Sequence, residues 1–79
     1  MAELERELTY GENAVGISFN PSANNRVDTI KTLYSKIIDV CNIVREDTAS
    51  GEVKRMMSVA ITEAQTAQMW AVKGITWKD

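Results

Sequence analysis

The chain contains no histidine and a single cysteine, Cys41, among its 79 residues. One thiol excludes an internal disulfide framework, and the same shortage leaves too few of the usual ligands for a zinc site. Histidine is also the commonest general acid or base in enzymes, and neither a Walker-type nor a dinucleotide-binding glycine motif occurs in this sequence. We therefore expect no metal, no cofactor and no enzymatic activity.

The chain also lacks a basic excess and a long apolar run. Nine Lys and Arg face eleven Asp and Glu, for a net charge of −2. Proteins that coat DNA or RNA carry a basic stripe, so a nucleic-acid polymer is not expected as a partner, whereas a small anion is allowed. No stretch approaches the roughly 18 apolar residues of a membrane span, and the acidic N-terminus is unlike a signal peptide. We expect an intracellular protein that does not contact membranes.

Helix formers and loop residues alternate in a way that predicts a single all-α domain. A short N-terminal helix, a loop and two long helices are expected. Because the turn between the long helices has five residues, they are antiparallel neighbours that form a hairpin. The expected bounds are a helix over about 2–9, a loop over about 10–25, and helices over about 26–46 and 52–73, within one domain over 1–79.

Apolar residues at alternating spacings of 3 and 4 predict the faces along which the two long helices meet. At the start of the first helix, Asn25 and Asp28 resemble a capping box, and Gly74 is a natural stop for the second helix. The first seam comprises Val27, Ile30, Tyr34, Ile37, Cys41 and Val44, and the second comprises Val53, Met57, Ala60, Ala64, Ala67 and Ala71.

Each long helix carries a second apolar set that a single interface cannot cover. Leu33 and Ile38 belong to this set on the first helix, and Met69 and Trp70 belong to it on the second. Helices that are apolar around much of their girth are buried on several sides. We therefore expect a homo-oligomer, with a compact monomeric three-helix bundle as the alternative.

The loop and the start of the first long helix carry candidate ligand-binding residues. Tyr10 and Phe19 offer flat faces on which nucleobases stack. The N–H groups of a helix start attract anions, and Ser22, Arg26 and Lys31 add a hydroxyl and two charges there. These features indicate a small phosphorylated aromatic ligand. Each also has a plainer interpretation, as a helix cap, a plug at the hairpin end or a solvated charge.

Three motifs resemble the helical-hairpin domain of phage anti-CBASS sponges, a domain shared with phage anti-Thoeris sponges. The motifs are F-N-P-S at 19–22, V-x-x-I-K at 27–31 and A-I-T-E-A-x-x-A-x-M-W-A-V-K at 60–73. The resemblance implies a homohexamer that binds cyclic dinucleotides such as 3′,3′-cGAMP without cleaving them. It further implies that the signal is withheld from CBASS effectors in the host cytoplasm during phage infection.

The resemblance also implies residue roles. In the family an aromatic residue ahead of the hairpin stacks on the bases, and a lysine early in the first long helix meets phosphate. Tyr10 and Phe19 match the aromatic residue and Lys31 matches the lysine, so we expect both rings to clamp the ligand from two sides. The full expected site comprises Tyr10, Phe19, Asn20, Ser22, Arg26 and Lys31.

Some relatives have a second site, for cyclic trinucleotides, that uses an Arg immediately before a Thr of the second helix. Here Ile61 precedes Thr62, so the resemblance leaves that second site open.

Two other functions fit the sequence. A helical protein–protein interaction module with no small-molecule ligand would use the apolar face that carries Trp70. A purely structural coiled-coil element would make the loop over 10–25 dispensable.

Overall fold

The computed structural model describes residues 6–79. These residues form three helices and no strand, so the all-α class is confirmed for this part of the chain. The helices are α1 (Tyr10–Val15), α2 (Asn25–Asp47) and α3 (Gly51–Ile75). Helix α2 and helix α3 form the antiparallel hairpin, and the short helix α1 lies beside α2.

The first helix within residues 6–79 is Tyr10–Val15, whereas the sequence predicts a helix over about 2–9. Positions 2–5 of the expected N-terminal helix lie outside the described residues, and residues 6–9 are not helical. Instead, Thr9 and Glu12 form a capping box, in which the Glu12 N–H donates to the Thr9 hydroxyl and the Thr9 N–H donates to the Glu12 carboxylate at 2.9 Å. The prediction of a loop throughout 10–25 is therefore wrong over Tyr10–Val15, because this box starts a helix in a stretch of loop-like composition.

Helix α1 ends at Gly16, whose φ of 64° lies in the left-handed region. Glycine adopts this conformation without a Cβ clash, and it commonly ends helices for that reason. The loop that leads to α2 therefore spans residues 16–24.

The start of α2 differs from the predicted capping box by one residue. The Asn24 side chain, not that of Asn25, caps the helix by accepting the Arg26 N–H at 2.8 Å. Asp28 instead accepts a hydrogen bond from the Asn20 amide at 3.0 Å. The Asp28 side chain therefore binds the preceding loop instead of completing the cap of α2.

The predicted stop at Gly74 is also wrong, because α3 continues through this residue to Ile75. Glycine lowers helix stability by roughly 1 kcal/mol relative to alanine, but it does not by itself break a helix. The Thr76 N–H donates to the Val72 carbonyl at 3.0 Å and so closes one more turn.

Helix α1 contacts α2 through Gly11. The Gly11 N–H donates to the Asp39 carboxylate at 2.7 Å, and a Cβ at this glycine would lie only 2.0 Å from the Ser35 carbonyl oxygen. This approach requires a residue without a side chain. Because Gly11 lies beside Asp39 while Gly16 lies beside Lys31, α1 runs antiparallel to α2 and delivers the loop to the start of the hairpin.

The central cluster of the core takes one buried side chain from each helix, namely Val15, Ile38 and Ile61, and Val27 of α2 is also buried. Ile38 is fully buried, whereas Ile37, which was expected in the seam, is 51% exposed. The prediction fails at Ile37 because α1 and α3 cover α2 from two directions. The buried face of α2 therefore lies between the predicted seam and the second apolar set of this helix. The buried residues of α2 are Val27, Lys31, Ser35 and Ile38.

The fold is a slab whose shortest dimension is 12 Å, about the thickness of one helix. Its outer helix faces leave many large apolar side chains exposed. None of the helices within residues 6–79 combines the length and the hydropathy needed to cross a membrane. The exposed apolar residues include Leu33, Ile37, Val40, Ile43 and Val44 on α2 and Met56, Val59, Met69 and Trp70 on α3.

Candidate functional site

A cleft of about 210 Å³ opens where the loop meets the end of the hairpin. The loop forms one wall, and the first turns of α2 and the last turns of α3 form the others. Four of the six residues expected from the sequence to bind ligand line it. The lining residues are Phe19, Asn20, Pro21, Ser22, Val27, Lys31, Val72 and Thr76.

Lys31 is the charged residue of the cleft, and it is only 5% exposed. Its Nζ donates to the Gly16 carbonyl at 3.0 Å and to the Phe19 carbonyl. The ion pairs found among residues 6–79 do not include Lys31. Because a buried charge is costly unless it is paired, the cleft wall holds a positive charge with no negative partner from the described part of the chain.

Phe19 presents a stacking surface beside this charge. Its side chain is 70% exposed, and Lys31 Nζ lies 5.5 Å from the centre of its ring. The Phe19 N–H donates to the Gly16 carbonyl at 2.9 Å, which fixes the backbone below the ring. An aromatic ring held in this way can stack on a base while the ammonium contacts an anion.

Asn20 and Ser22 brace the loop from within. The Asn20 amide nitrogen donates to the Asn24 carbonyl and to Asp28, both at 3.0 Å. Its amide oxygen accepts the Ser22 hydroxyl at 2.7 Å. These hydrogen bonds shape the cleft wall. They also occupy the Asn20 amide and the Ser22 hydroxyl, the donors that the sequence predicts would bind a ligand.

Arg26 is exposed but is not among the residues that line the cleft. Its backbone N–H, one of the free donors expected at the helix start, is taken by Asn24. Asp28 adds a negative charge to the same turn, where it offsets the positive end of the helix dipole. The positive charge in the cleft therefore comes from Lys31.

Tyr10 lies far from the cleft on the same protomer. Its ring is half exposed, and the Arg45 guanidinium lies 5.5 Å from the ring centre. Arg45 follows Lys31 by 14 residues in α2, which is about 21 Å along the helix at 1.5 Å per residue. The clamp expected from Tyr10 and Phe19 therefore does not form within one protomer.

Val72 and Thr76 reach the cleft from the end of α3, and the sequence does not predict this contribution. The Thr76 hydroxyl donates to the Val72 carbonyl at 2.8 Å, so its side chain lies along the helix. The near-equal lengths of the two long helices were the available signal, since they place the end of α3 beside the start of α2. Ile61, by contrast, is buried in the core and lines none of the clefts described for residues 6–79.

These features define a small helical-hairpin protein with a cationic cleft beneath an exposed aromatic ring. Residues 12–76 match the family described as Acb2/Tad1, hairpin domain, and the chain therefore belongs to this family. The resemblance to anti-CBASS and anti-Thoeris sponges is thereby confirmed. Membership implies sponge-like binding of cyclic oligonucleotides, in a family whose proteins bind rather than catalyse. No curated protein and no solved structure shows significant similarity to this chain.

Proposed function

We propose that this chain sequesters cyclic dinucleotide immune signals such as 3′,3′-cGAMP without cleaving them. Sequestration in the cytoplasm of a phage-infected host would keep the signal from activating CBASS effectors. The observation that carries the proposal is the buried ammonium of Lys31, which has no carboxylate partner among the described residues and lies beneath the exposed ring of Phe19. A phosphodiester supplies the negative charge, and a base supplies the stacking partner for the ring.

The chemistry of the cleft favours binding over cleavage. The Ser22 hydroxyl donates to Asn20, and the Lys31 ammonium donates to two backbone carbonyls. No carboxylate or imidazole among the residues lining the cleft is placed to remove a proton from a nucleophile. We therefore assign the cleft a stoichiometric role, in which each bound signal molecule is held intact.

We assign part of the ligand site to a neighbouring protomer. The cleft, at about 210 Å³, is smaller than the roughly 300–1,000 Å³ of pockets that enclose drug-sized ligands. The exposed apolar side chains of α2, together with Met56 and Val59 of α3, support self-association, and the family resemblance implies a hexamer. In such an assembly Tyr10 would act on a ligand held by the Lys31 cleft of another protomer.

Depletion of ligand tests the proposal. The protein is mixed with 3′,3′-cGAMP and filtered, and the retained ligand is released by heat and analysed by chromatography. We expect depletion in proportion to protein and recovery of unchanged 3′,3′-cGAMP. A filtrate that keeps all its ligand, or a released product that is linear, would contradict the proposal.

A protein–protein interaction module is the second candidate, and the exposed apolar faces of the hairpin favour it. Light scattering separates the two candidates. A monomer in solution would leave these faces open for a different protein and would favour the module. A closed homo-oligomer would cover the apolar side chains of α2 with copies of the chain and would favour the sponge.

A further inference from the structure

A second cluster, formed by Trp70, Lys73 and Trp77, lies at the end of α3. Trp70 and Lys73, at positions i and i+3, share one face of this helix, and Trp77 follows the helix after Ile75. Val72 and Thr76, which line the Lys31 cleft, follow Trp70 by two and six residues. At about 100° per residue these two positions point away from Trp70, so the tryptophan cluster faces away from the Lys31 cleft.

The ammonium of Lys73 lies close to both rings of the tryptophan cluster. Lys73 Nζ lies 5.3 Å from the centre of the Trp70 ring and 5.9 Å from that of Trp77. The ion pairs within residues 6–79 do not include Lys73. Both side chains of tryptophan remain about two-thirds exposed, at 67% and 64%. Two flat apolar faces and one cation with no negative partner among the described residues are thus held together.

The Asp79 side chain helps to position the second ring. The Trp77 indole N–H donates to the Asp79 carboxylate at 3.0 Å, and the Trp77 backbone N–H approaches the Gly74 carbonyl at 3.4 Å. Two hollows of about 230 and 310 Å³ flank the cluster and share Trp70 and Lys73. Gly74 lines the larger hollow, and a Cβ there would meet nothing within 4 Å. The two hollows, both lined by Trp70 and Lys73, are together called the trough, and Gly74 lies on the floor of the larger one.

We propose that the tryptophan cluster is a second ligand site, which takes a nucleotide independently of the Lys31 cleft. The base stacks on an indole face, and the phosphate pairs with the Lys73 ammonium. Base-stacking sites combine aromatic rings with cations, whereas lysine is depleted in the cores of protein–protein interfaces. The central place of Lys73 between two rings therefore favours a nucleotide over a second copy of the chain.

Tryptophan fluorescence reports on this site alone, because the chain has two tryptophans and both belong to the cluster. The probe is adenosine 5′-monophosphate, with adenosine and ribose 5-phosphate as matched controls. We expect saturable quenching by the nucleotide, weaker binding of adenosine, which lacks the phosphate, and no quenching by ribose 5-phosphate, which lacks the base. Absence of quenching by the nucleotide, or equal affinity for adenosine, would overturn the proposal.

Gly74→Leu is the decisive variant, since it fills the floor of the trough and keeps both reporters. Leucine favours helix more than glycine does, so folding is retained, and quenching by the nucleotide should be lost. Gly51→Leu, at the other end of α3 where a Cβ also meets nothing within 4 Å, should leave quenching unchanged. Equal quenching in the two variants would contradict a site at the trough.

Two further variants separate this site from its alternatives. Phe19→Ala alters the Lys31 cleft only, so quenching by adenosine 5′-monophosphate should persist even where binding of 3′,3′-cGAMP fails. Trp70→Ala removes one stacking face, and it should weaken nucleotide binding roughly five- to hundredfold without changing the mass of the protein in solution. A fall in mass of the nucleotide-free variant would show that another copy covers the cluster and would overturn the proposal.

Discussion

The side-chain ammonium of Lys31 lies 5.5 Å from the centre of the Phe19 ring and donates a hydrogen bond to the carbonyl of the same residue. Charge and ring are therefore held as one unit. The left-handed conformation of Gly16 makes this possible, because it turns the Gly16 carbonyl to within 3.0 Å of Lys31 Nζ. A ligand that stacks on Phe19 places its phosphates beside the ammonium.

Lys31→Met should destabilise the fold and abolish binding of cyclic dinucleotides. Methionine retains an apolar stem but leaves the Gly16 and Phe19 carbonyls without their donor, which costs about 1–3 kcal/mol in the free energy of unfolding. Urea denaturation and calorimetry measure the two effects. Lys36→Met, at an exposed position of the same helix, should change stability by less than about 0.5 kcal/mol. Equal effects of the two variants would contradict the role of Lys31.

Phe19→Ala should weaken ligand binding while the fold stays intact. The ring is largely exposed, so the free energy of unfolding should change by less than about 0.5 kcal/mol. Loss of one stacking face should raise the Kd for 3′,3′-cGAMP roughly five- to hundredfold. Ser18→Ala, at the exposed position beside it, is the control and should bind like the wild type. Unchanged affinity of the Phe19→Ala protein would show that the ring does not contribute to the site.

Gly11→Ala should destabilise the packing of α1 on α2. The added methyl would lie 2.0 Å from the Ser35 carbonyl oxygen, and relief of such overpacking costs about 1–3 kcal/mol. Gly74→Ala makes the same change where nothing lies within 4 Å, so it should leave stability unchanged or raise it by up to about 1 kcal/mol. Thermal denaturation compares the two variants, and equal losses of stability would contradict the close approach of α1.

Acid should weaken the N-terminal cap of α1. A side-chain hydrogen bond from Arg6, followed by one from the Thr9 N–H, lowers the pKa of Glu12 from 4.5 to about 2. Because the pKa is lower in the folded state, this stabilisation is fully present above pH 4.5 and is lost as the pH falls towards about 2. Amide signals of residues 10–15 in NMR spectra should lose protection across that window.

Glu12→Gln is the matched variant for this pH dependence. Glutamine cannot ionise, so α1 should be less protected at neutral pH and should lose less protection across the acid window than the wild type does. A wild-type α1 that stays protected at pH 2 would contradict the contribution of the capping box.

The fold was predictable from the sequence where the physical signal is local and repeated. The apolar periodicity of the two long helices, with the short turn between them, was sufficient to predict the hairpin. Helix α1 was not predictable from composition, because Gly11 and Gly16 resemble loop residues. Gly11 is required because α1 approaches Ser35 closely, which depends on a tertiary neighbour. Gly16 ends the helix because of its positive φ, which depends on one dihedral angle.

The residues of the candidate site were predictable in part for a related reason. Phe19 and Lys31 were identified from residue type and from the family resemblance, and the structure brings them together. Burial of Lys31 was not foreseen, because lysine is rarely buried and the periodicity assigned the core of α2 to its apolar neighbours. The contributions of Val72 and Thr76 depend on how the hairpin ends align, which the spacing of residues within one helix does not determine.

Calorimetric titration of 3′,3′-cGAMP into the wild-type protein and into Lys31→Met tests most directly whether the Lys31 cleft holds a cyclic dinucleotide. We predict saturable heat release with the wild type, ligand recovered intact afterwards, and no measurable binding to a Lys31→Met protein that remains folded at the temperature of the titration. Absence of heat with the wild type, or equal affinity in the two proteins, would contradict a site built on Lys31.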